Sequence, residues 1–339
     1  MVTYFEPGAG AFPRCGGANR VKRHLRRWGQ SLIAGWELLA QNRMGLVGVA
    51  LLAAVIGMAV FAPWIAPYDP SETTAVSIDD IYAAPSPEHI MGTDDGGKDV
   101  FSSFVYGSRV SLVVGFTAAA ISMIIGGTIG LTAGFLGGRI GNFLMRLTDI
   151  FLVIPDLPLM IVIVAILGPS LWNIILVIGF LGWTGTARIV RAQSLSVKER
   201  QFVTRARAIG AGNFYILRRH IFPLVLPLMV TNTVLVISLS ILDESTLSFL
   251  GLGDPTTLSW GGMINYAFTR GAISAGAWWA IVAPGLGIVW VVLACTLVGN
   301  ALEEVFNPRL KTHHLQGEGK MIPRRGLVEP LVTDDHAVS

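Results

Sequence analysis

Six stretches of this chain are apolar for longer than a soluble core element needs: about residues 45–66, 110–136, 150–168, 171–190, 222–244 and 278–302. Crossing a hydrocarbon core of ~30 Å takes ~20 helical residues, and each stretch is of that order. A backbone in lipid must satisfy its own hydrogen bonds, so helices are the economical choice. The expected fold class is an all-α integral membrane protein with six transmembrane helices. Bulk composition agrees: of 339 residues 52% are hydrophobic and only 14% charged, with mean hydropathy +0.60, outside the range of ordinary soluble domains.

The distribution of Lys and Arg sets an orientation. With the N-terminus taken as cytoplasmic, 22 of the 25 cations fall inside: seven in residues 1–44, two at Arg139 and Arg146, eight in residues 188–219 and five after residue 304. Only Lys98, Arg109 and Arg270 lie outside or at the outer rim, where residues 67–107 carry eight acids. Both termini are therefore expected inside. The net charge of +3 follows from this asymmetry and does not argue for nucleic acid. Cys15, in the inner tail, and Cys295, within the last span, lie at different levels of the membrane and cannot pair.

Along the chain, residues 1–35 read as a cytoplasmic tail whose basic run, 20–27, lies on the inner leaflet. Residues 20–66 are basic and then apolar, like a signal peptide. The apolar run starts too late and is too long for one, so it is expected to be a retained anchor. The first span, within a segment 36–82, ends in a proline-rich exit, Ala66-Pro67-Tyr68-Asp69-Pro70. An extracytoplasmic loop follows at 83–107. Gly92 to Lys98 spells the start of a phosphate loop, but Asp99 stands where Mg2+ coordination wants Ser or Thr and no buried strand precedes it, so no nucleotide is expected there. The membrane core runs from 108 to 304, and residues 305–339 form a second tail.

Within the core, Gly115, Gly126, Gly127, Gly130 and Gly134 allow the second span to pack closely or to slide. The third span contains Ile154-Pro155-Asp156-Leu157-Pro158, two prolines and a carboxylate at lipid depth. Asp156 marks either a polar cavity or partner, or a cap for groups freed by the prolines. Counting from residue 222 at ~1.5 Å per residue, Glu244 arrives ~33 Å later at the outer interface, next to Asp243. The two acids either line the mouth of a pathway or mark the helix end. Trp278 and Trp279 open the last span as aromatic-belt residues would.

The one long polar stretch between spans is RQFVTRARAIGAGNFYILRRHIFP, residues 200–223. Residues 200–208 are good helix formers, Gly210 and Gly212 interrupt them, and Asn213 is a candidate N-cap for a second short helix ending near Pro223. Small Ala206, Ala208 and Gly210 would admit a partner's surface, while Arg205, Arg207, Arg218 and Arg219 offer charge to an acidic or phosphate-bearing face. A solvated basic loop beside anionic headgroups is the plainer alternative.

This stretch, with Ala206, Gly210 and Pro223 at matching spacing and Ile216 and His220 besides, resembles the cytoplasmic "EAA" loop of ABC-importer permeases, within their oligopeptide/dipeptide branch. Thr204 and Arg205 replace that pattern's Glu and first Ala. The segment MGTDDGGKDVFSSFVYGSRVSL resembles the branch's GTDxxGRDxxSRxxxGxRxSL, with Lys98 and Ser103 in place of two arginines. Glu244, Leu247 to Gly253 and Ser259 to Gly261 match its E-x-x-LSFLGLG and Ser-Trp-Gly elements. The likeness covers residues 36 to about 306.

That resemblance implies a type I ABC-importer permease fold in a bacterial or archaeal cytoplasmic membrane. It also implies a heterodimer with a second permease subunit, two cytoplasmic ATPase subunits docked on the coupling loop 191–223, and an extracytoplasmic solute-binding protein. The coupling residues would be Arg205, Ala206, Arg207, Ala208, Gly210, Ile216, His220 and Pro223; Asp156, Asp243 and Glu244 would line the translocation pathway. ATP and Mg2+ would be bound by the partner ATPases, leaving this chain with no cofactor, metal or catalytic residue, and the cargo would be short peptides or similar small solutes. The six histidines are scattered, and the pair His313-His314 lies in the tail. An ion-coupled secondary transporter using Asp156 is the alternative, although no inverted repeat is visible. An intramembrane enzyme would need a paired constellation at depth that is absent. Orientation is directly checkable: in a cysteine-free background, Arg207→Cys should react with an impermeant thiol reagent in inside-out vesicles and not in intact cells; labelling in intact cells would reverse the topology.

Overall fold

The computed structural model describes residues 42–70 and 80–306. The two tails, with Cys15, His24 and the His313-His314 pair, lie outside the described residues, as do Glu72 and Asp79. All regular structure among the described residues is helical, the one strand-like feature being an isolated bridge between Thr93 and Asp99. The helices are α1 (Arg43–Val60), α2 (Ala62–Ile65), α3 (Val100–Leu136), α4 (Gly138–Val153), α5 (Asp156–Leu167), α6 (Leu171–Leu181), α7 (Trp183–Lys198), α8 (Gln201–Ala208), α9 (Asn213–Ile216), α10 (Phe222–Leu247), α11 (Trp260–Thr269) and α12 (Trp279–Phe306). π-helical turns at Leu217–Ile221 and Ser248–Leu252 flank α10.

Five of the six expected spans are long, apolar helical runs: Arg43–Val60, Val100–Leu136, Leu171–Lys198, Asn213–Leu252 and Trp279–Phe306. The third, expected as one helix over 150–168, is instead a broken pair, α4 and α5, bent by 84°. The break has a local cause. Ile154 precedes a proline and is driven out of the helical region to φ −80°, ψ 126°. Pro155 caps α5, and Pro158 falls in its first turn, where a missing N–H costs nothing. Asp156 is consequently the first residue of a new helix and exposed, not a carboxylate in mid-helix.

The second span is longer than its apolar stretch suggests. Asp99, whose Oδ2 accepts from the Ser102 amide at 2.7 Å, caps α3 at Val100, so the 107/108 boundary falls inside a helix. Arg109, in that added length, donates from Nε to the Ala59 carbonyl at 2.6 Å and from Nη2 to Val60 at 3.2 Å, satisfying carbonyls at the end of α1. The other end of α1 is capped by Asn42, whose Nδ2 also donates to Glu304 on α12 at 2.5 Å. Trp279 leaves the expected aromatic belt: its Nε1 donates to the Thr93 carbonyl at 3.1 Å, and only Trp278 is freely exposed.

Three apolar clusters organise the bundle. One, among α1, α3, α10, α11 and α12, centres on Trp260, which stacks on Phe104 at 5.5 Å and donates to the Phe104 carbonyl at 2.9 Å. A second joins α3 to α5 and α6. A third joins α3 and α7 to the elbow of residues 200–223 and the start of α10. Of the two options for the glycines of α3, close packing is what the coordinates display. Gly126, Gly130 and Gly134 recur every fourth residue and face α7, and a Cβ on Gly126 or Gly130 would sit 2.5 Å from the carbonyl oxygen of Trp183 or Ala187. Backbone against backbone leaves nothing flexible to yield.

Gly130→Leu should therefore force α3 and α7 apart and cost about 2 kcal/mol or more. Gly57→Leu, where a Cβ meets nothing within 4 Å, should be nearly neutral. Thermal unfolding of the detergent-purified chain checks this; equal melting of the two variants would remove the seam from the account.

Candidate functional site

The elbow is built by a helix stop whose chemistry explains the spacing of its residues. α8 ends at Ala208, Ile209 follows as its C-cap, and Gly210 takes φ +83°, a left-handed conformation that disfavours any side chain. The Gly210 amide donates to the Arg207 carbonyl at 2.9 Å and the Ala211 amide to the Ala206 carbonyl at 3.0 Å. Those two bonds form a Schellman closure, in which the left-handed residue, here glycine, stands three residues after one recaptured carbonyl and four after the other. The small residue at 206 has its own reason. Ala206 is buried beside Val203 against Ile216, Ile221 and Val225, so its size serves packing within the chain rather than a partner's approach.

The second arm differs from expectation in two ways. Asn213 does not cap it: Gly212 holds that position without a side-chain bond, and Asn213 is the first helical residue. Nor does the arm end near Pro223. It runs on through the π-helical turn into α10, one helical run from Asn213 to Leu252. Pro223 occupies the first turn of α10, just after the wide turn has shifted the hydrogen-bond ladder, so its missing donor falls where the register changes.

What the elbow exposes is partly apolar. Ile209 is 86% exposed, Phe214 74% and Tyr215 54%, beside exposed Arg205, Ala208, Arg218 and Arg219. His220 lies between Phe202, ring centroids 6.1 Å apart, and Tyr215, 5.7 Å, which joins the two arms. Arg207 sits over the Phe135 ring at 5.7 Å, tying the elbow to α3. A salt bridge of 2.6 Å between Arg188 and Asp149 connects α7 to α4 nearby, with both side chains half exposed and little energy at stake. Ile209, Phe214 and Tyr215 were missed in the sequence; the only signal was their place in a basic stretch between spans.

The three acids separate. Asp156 and Asp243 come close enough to interact electrostatically across α5 and α10. Glu244, one residue and so about 100° further round α10, is 1% exposed. Ser248 donates to its Oε1 at 2.8 Å, and Ser111 and Ser245 to its Oε2, each at 3.4 Å, with Ser259 hydrogen-bonded as well. A carboxylate removed from water is tolerable only with such donors, and these come from α3, α10, the π-turn and the cap of α11. Glu244 thus fastens α11 to the bundle rather than facing an open mouth. In the phosphate-loop lookalike, Asp94 Oδ1 already accepts the Gly96 and Lys98 amides at 2.8 Å each, so a carboxylate occupies the place a phosphate would need. Among the described residues no group of three or more His, Cys, Asp or Glu could hold a metal.

Residues 126–312 match the family model described as "Binding-protein-dependent transport system inner membrane component", and residues 33–85 match the "N-terminal TM domain of oligopeptide transport permease C". The chain belongs to this permease family. Relatives include the dipeptide transport permease of Escherichia coli K12, 40% identical over 81% of this chain and 92% of the relative, and the di/tripeptide permease of Pseudomonas aeruginosa, 38% identical over 81% and 91%. The dipeptide permease of Bacillus subtilis is 34% identical over 87% and 90%. The fold is accordingly the type I ABC-importer permease fold, and the chain is a multi-pass membrane subunit of a binding-protein-dependent transport system. The ion-coupled alternative finds no support in family membership.

Removing the buried carboxylate tests its structural role. Glu244→Ala should leave a cavity and unpaired serine hydroxyls and cost about 2–4 kcal/mol, whereas Glu244→Gln, which keeps an acceptor and the shape, should cost less than half of that. Thermal melts of the purified permease check both; an alanine variant as stable as the parent would sink it.

Proposed function

We propose that this chain is one of two membrane subunits of an ATP-driven importer of short peptides, and that its elbow is the surface on which a cytoplasmic ATPase docks. One observation carries the docking role: large apolar side chains, Ile209, Phe214 and Tyr215, stand exposed on a rigid turn whose opposite face is planted in the core. Exposed aromatic and aliphatic residues flanked by arginine are what a partner's pocket takes up as anchors. Arg205, Arg218 and Arg219 would form the charged rim, while Ala206, Gly210, Ile216 and Pro223 set the shape. Peptide cargo is supported by the printed functions of the relatives, and the cytoplasmic placement of elbow and termini by the Lys and Arg distribution.

In this proposal ATP and Mg2+ belong to the ATPase partners, a second permease chain completes the translocation path, and an extracytoplasmic binding protein delivers solute. Closure of the ATPases pushes the elbow, and the continuous helix from Asn213 onward carries the movement across the membrane. Asp156 and Asp243 face the path, and Glu244 holds its wall together.

The test is Ile209→Asp with Phe214→Asp in the reconstituted transporter. Loss of two anchors at about 2 kcal/mol each should weaken ATPase capture by roughly 10²–10³-fold. ATP-dependent peptide uptake should fall to background while the permease pair stays folded and assembled. Undiminished uptake would remove the elbow as the docking surface, and uptake driven by a proton gradient without ATP would restore the ion-coupled alternative.

A further inference from the structure

α4 has three faces where a helix on the outside of a membrane bundle needs two. Gly141, Met145 and Thr148 are buried against the bundle. Ile140, Phe143, Leu147 and Ile150 are exposed and apolar, as a lipid-facing side must be. Arg139, Asn142, Arg146 and Asp149 recur at the same spacing, are exposed as well, and lie about 100° round the helix from the apolar stripe. Asp149 pairs with Arg188 at 2.6 Å, so this polar face continues onto α7, and both side chains are 54% exposed.

Depth makes such a face costly. At ~1.5 Å per residue Asp149 stands ~18 Å along α4 from the turn at Gly137, and Arg188 ~15 Å along α7 from Lys198. Gly137 and Lys198 share one level, since a Cβ on Gly137 would lie 3.5 Å from Lys198 Nζ. A second tie agrees: Asn232 Nδ2 donates to Thr186 Oγ1 at 2.9 Å, and Asn232 lies ~15 Å along α10 from Phe222. The ion pair is therefore near the middle of a hydrocarbon core of ~30 Å. Charged side chains at that depth face a water-filled cavity or other protein, not lipid.

The balance of charge favours water. The strip holds three guanidiniums against one carboxylate, and neither Arg139 nor Arg146 has an ion-pair partner among the described residues. A packed protein surface would need matching carboxylates; water solvates the excess without them. Beyond the bend, Asp156 at the start of α5 is exposed too, so the polar line leads on to the acids assigned to the path. We propose that Arg139, Asn142, Arg146 and Asp149, with Arg188, line the inner half of a water-filled translocation path, and that their positive excess draws in the carboxylate of a passing solute. It rests on the reading of the chain as a subunit of an ATP-driven importer.

The experiment uses the assembled transporter in nanodiscs, with Cys15→Ala and Cys295→Ala in this chain and single cysteines from Asn142→Cys or Phe143→Cys, adjacent positions that differ in direction. Water-soluble methanethiosulfonate reagents are the probes. Labelling of this chain is read by mass spectrometry, first without nucleotide and then after trapping with ATP and vanadate. Asn142→Cys should react at least roughly tenfold faster than Phe143→Cys in one of the two states and slow by a similar factor in the other. Where it reacts, an anionic reagent should outpace a cationic one by roughly threefold or more relative to a free thiol, and Arg146→Gln should erase most of that preference. If Asn142→Cys does not assemble, Gly185→Cys on α7, where a Cβ meets nothing within 4 Å, takes its place. Equal rates at the two positions would overturn the path, and loss of the charge preference alone would overturn the attraction of carboxylates. An unreactive Asn142→Cys that cross-links to the second permease subunit would also overturn it and make the strip a subunit contact. Peptide uptake that proceeds without ATP would instead overturn the importer reading, whichever residues line the path.

Discussion

A backbone in hydrocarbon has no water to fall back on, and the structure depends on how each interruption of its helices is made good. The interruptions are few and each has a local partner. Ile154 and Pro155 end α4 with geometry set by the proline ring. Arg109 takes the carbonyls at the end of α1. Gly210 closes α8 through two amides. Gly251, at φ +84°, ends the run from Asn213, and Asn265 donates to the nearby Phe249 carbonyl at 2.6 Å. The elbow is built where such an interruption occurs. That is expected, since there polar backbone and charged side chains can gather without facing lipid.

Helix existence was legible because the apolar runs are long and because lipid removes every competing structure. The elbow was legible too, since glycine at 210 and a small residue at 206 each carry a distinct physical demand. Boundaries were less so. α3 starts ten residues before the apolar stretch of the second span because Asp99 caps it, a fact about one hydrogen bond that hydropathy does not register. The break at 154–155 was visible as two prolines, but a proline kinks, caps or breaks a helix according to its neighbours, and sequence leaves those options open. Glu244 was the hardest. Its four serine partners lie at 111, 245, 248 and 259, two of them distant in sequence, and nothing local distinguishes a carboxylate that lines a path from one that fastens two helices.

The apolar tip of the elbow shows a different limit. Ile209, Phe214 and Tyr215 are ordinary membrane residues by composition, so against 52% hydrophobic background they carry little signal. Only the placement of Val203, Ala206, Ile216 and Ile221 in the inner face reveals that Ile209 and Phe214, and most of Tyr215, stand exposed among the described residues. An exposed Ile in a lipid-facing span needs no explanation. The same residue on a basic turn between spans does.

The geometry also constrains how a push at the elbow is felt elsewhere. From Asn213 to Glu244 the chain is one helical run of ~47 Å at 1.5 Å per residue, interrupted by a π-turn and by Pro227 but never by a loop. Its near end is locked to the elbow by Ile216 and Ile221, and its far end to α3 and α11 by the serines around Glu244. α3 in turn is sealed to α7 by the glycine seam, where backbones already touch and cannot be compressed. Movement of the elbow relative to α7 therefore cannot be absorbed at the seam. It must either open the third cluster around Val203 and Met229 or travel along α10 to Glu244, and through Ser259 to the start of α11. The second route leaves the packed clusters intact and shifts only a helix that is anchored at its ends, so α11 is the element that an elbow movement displaces at least cost.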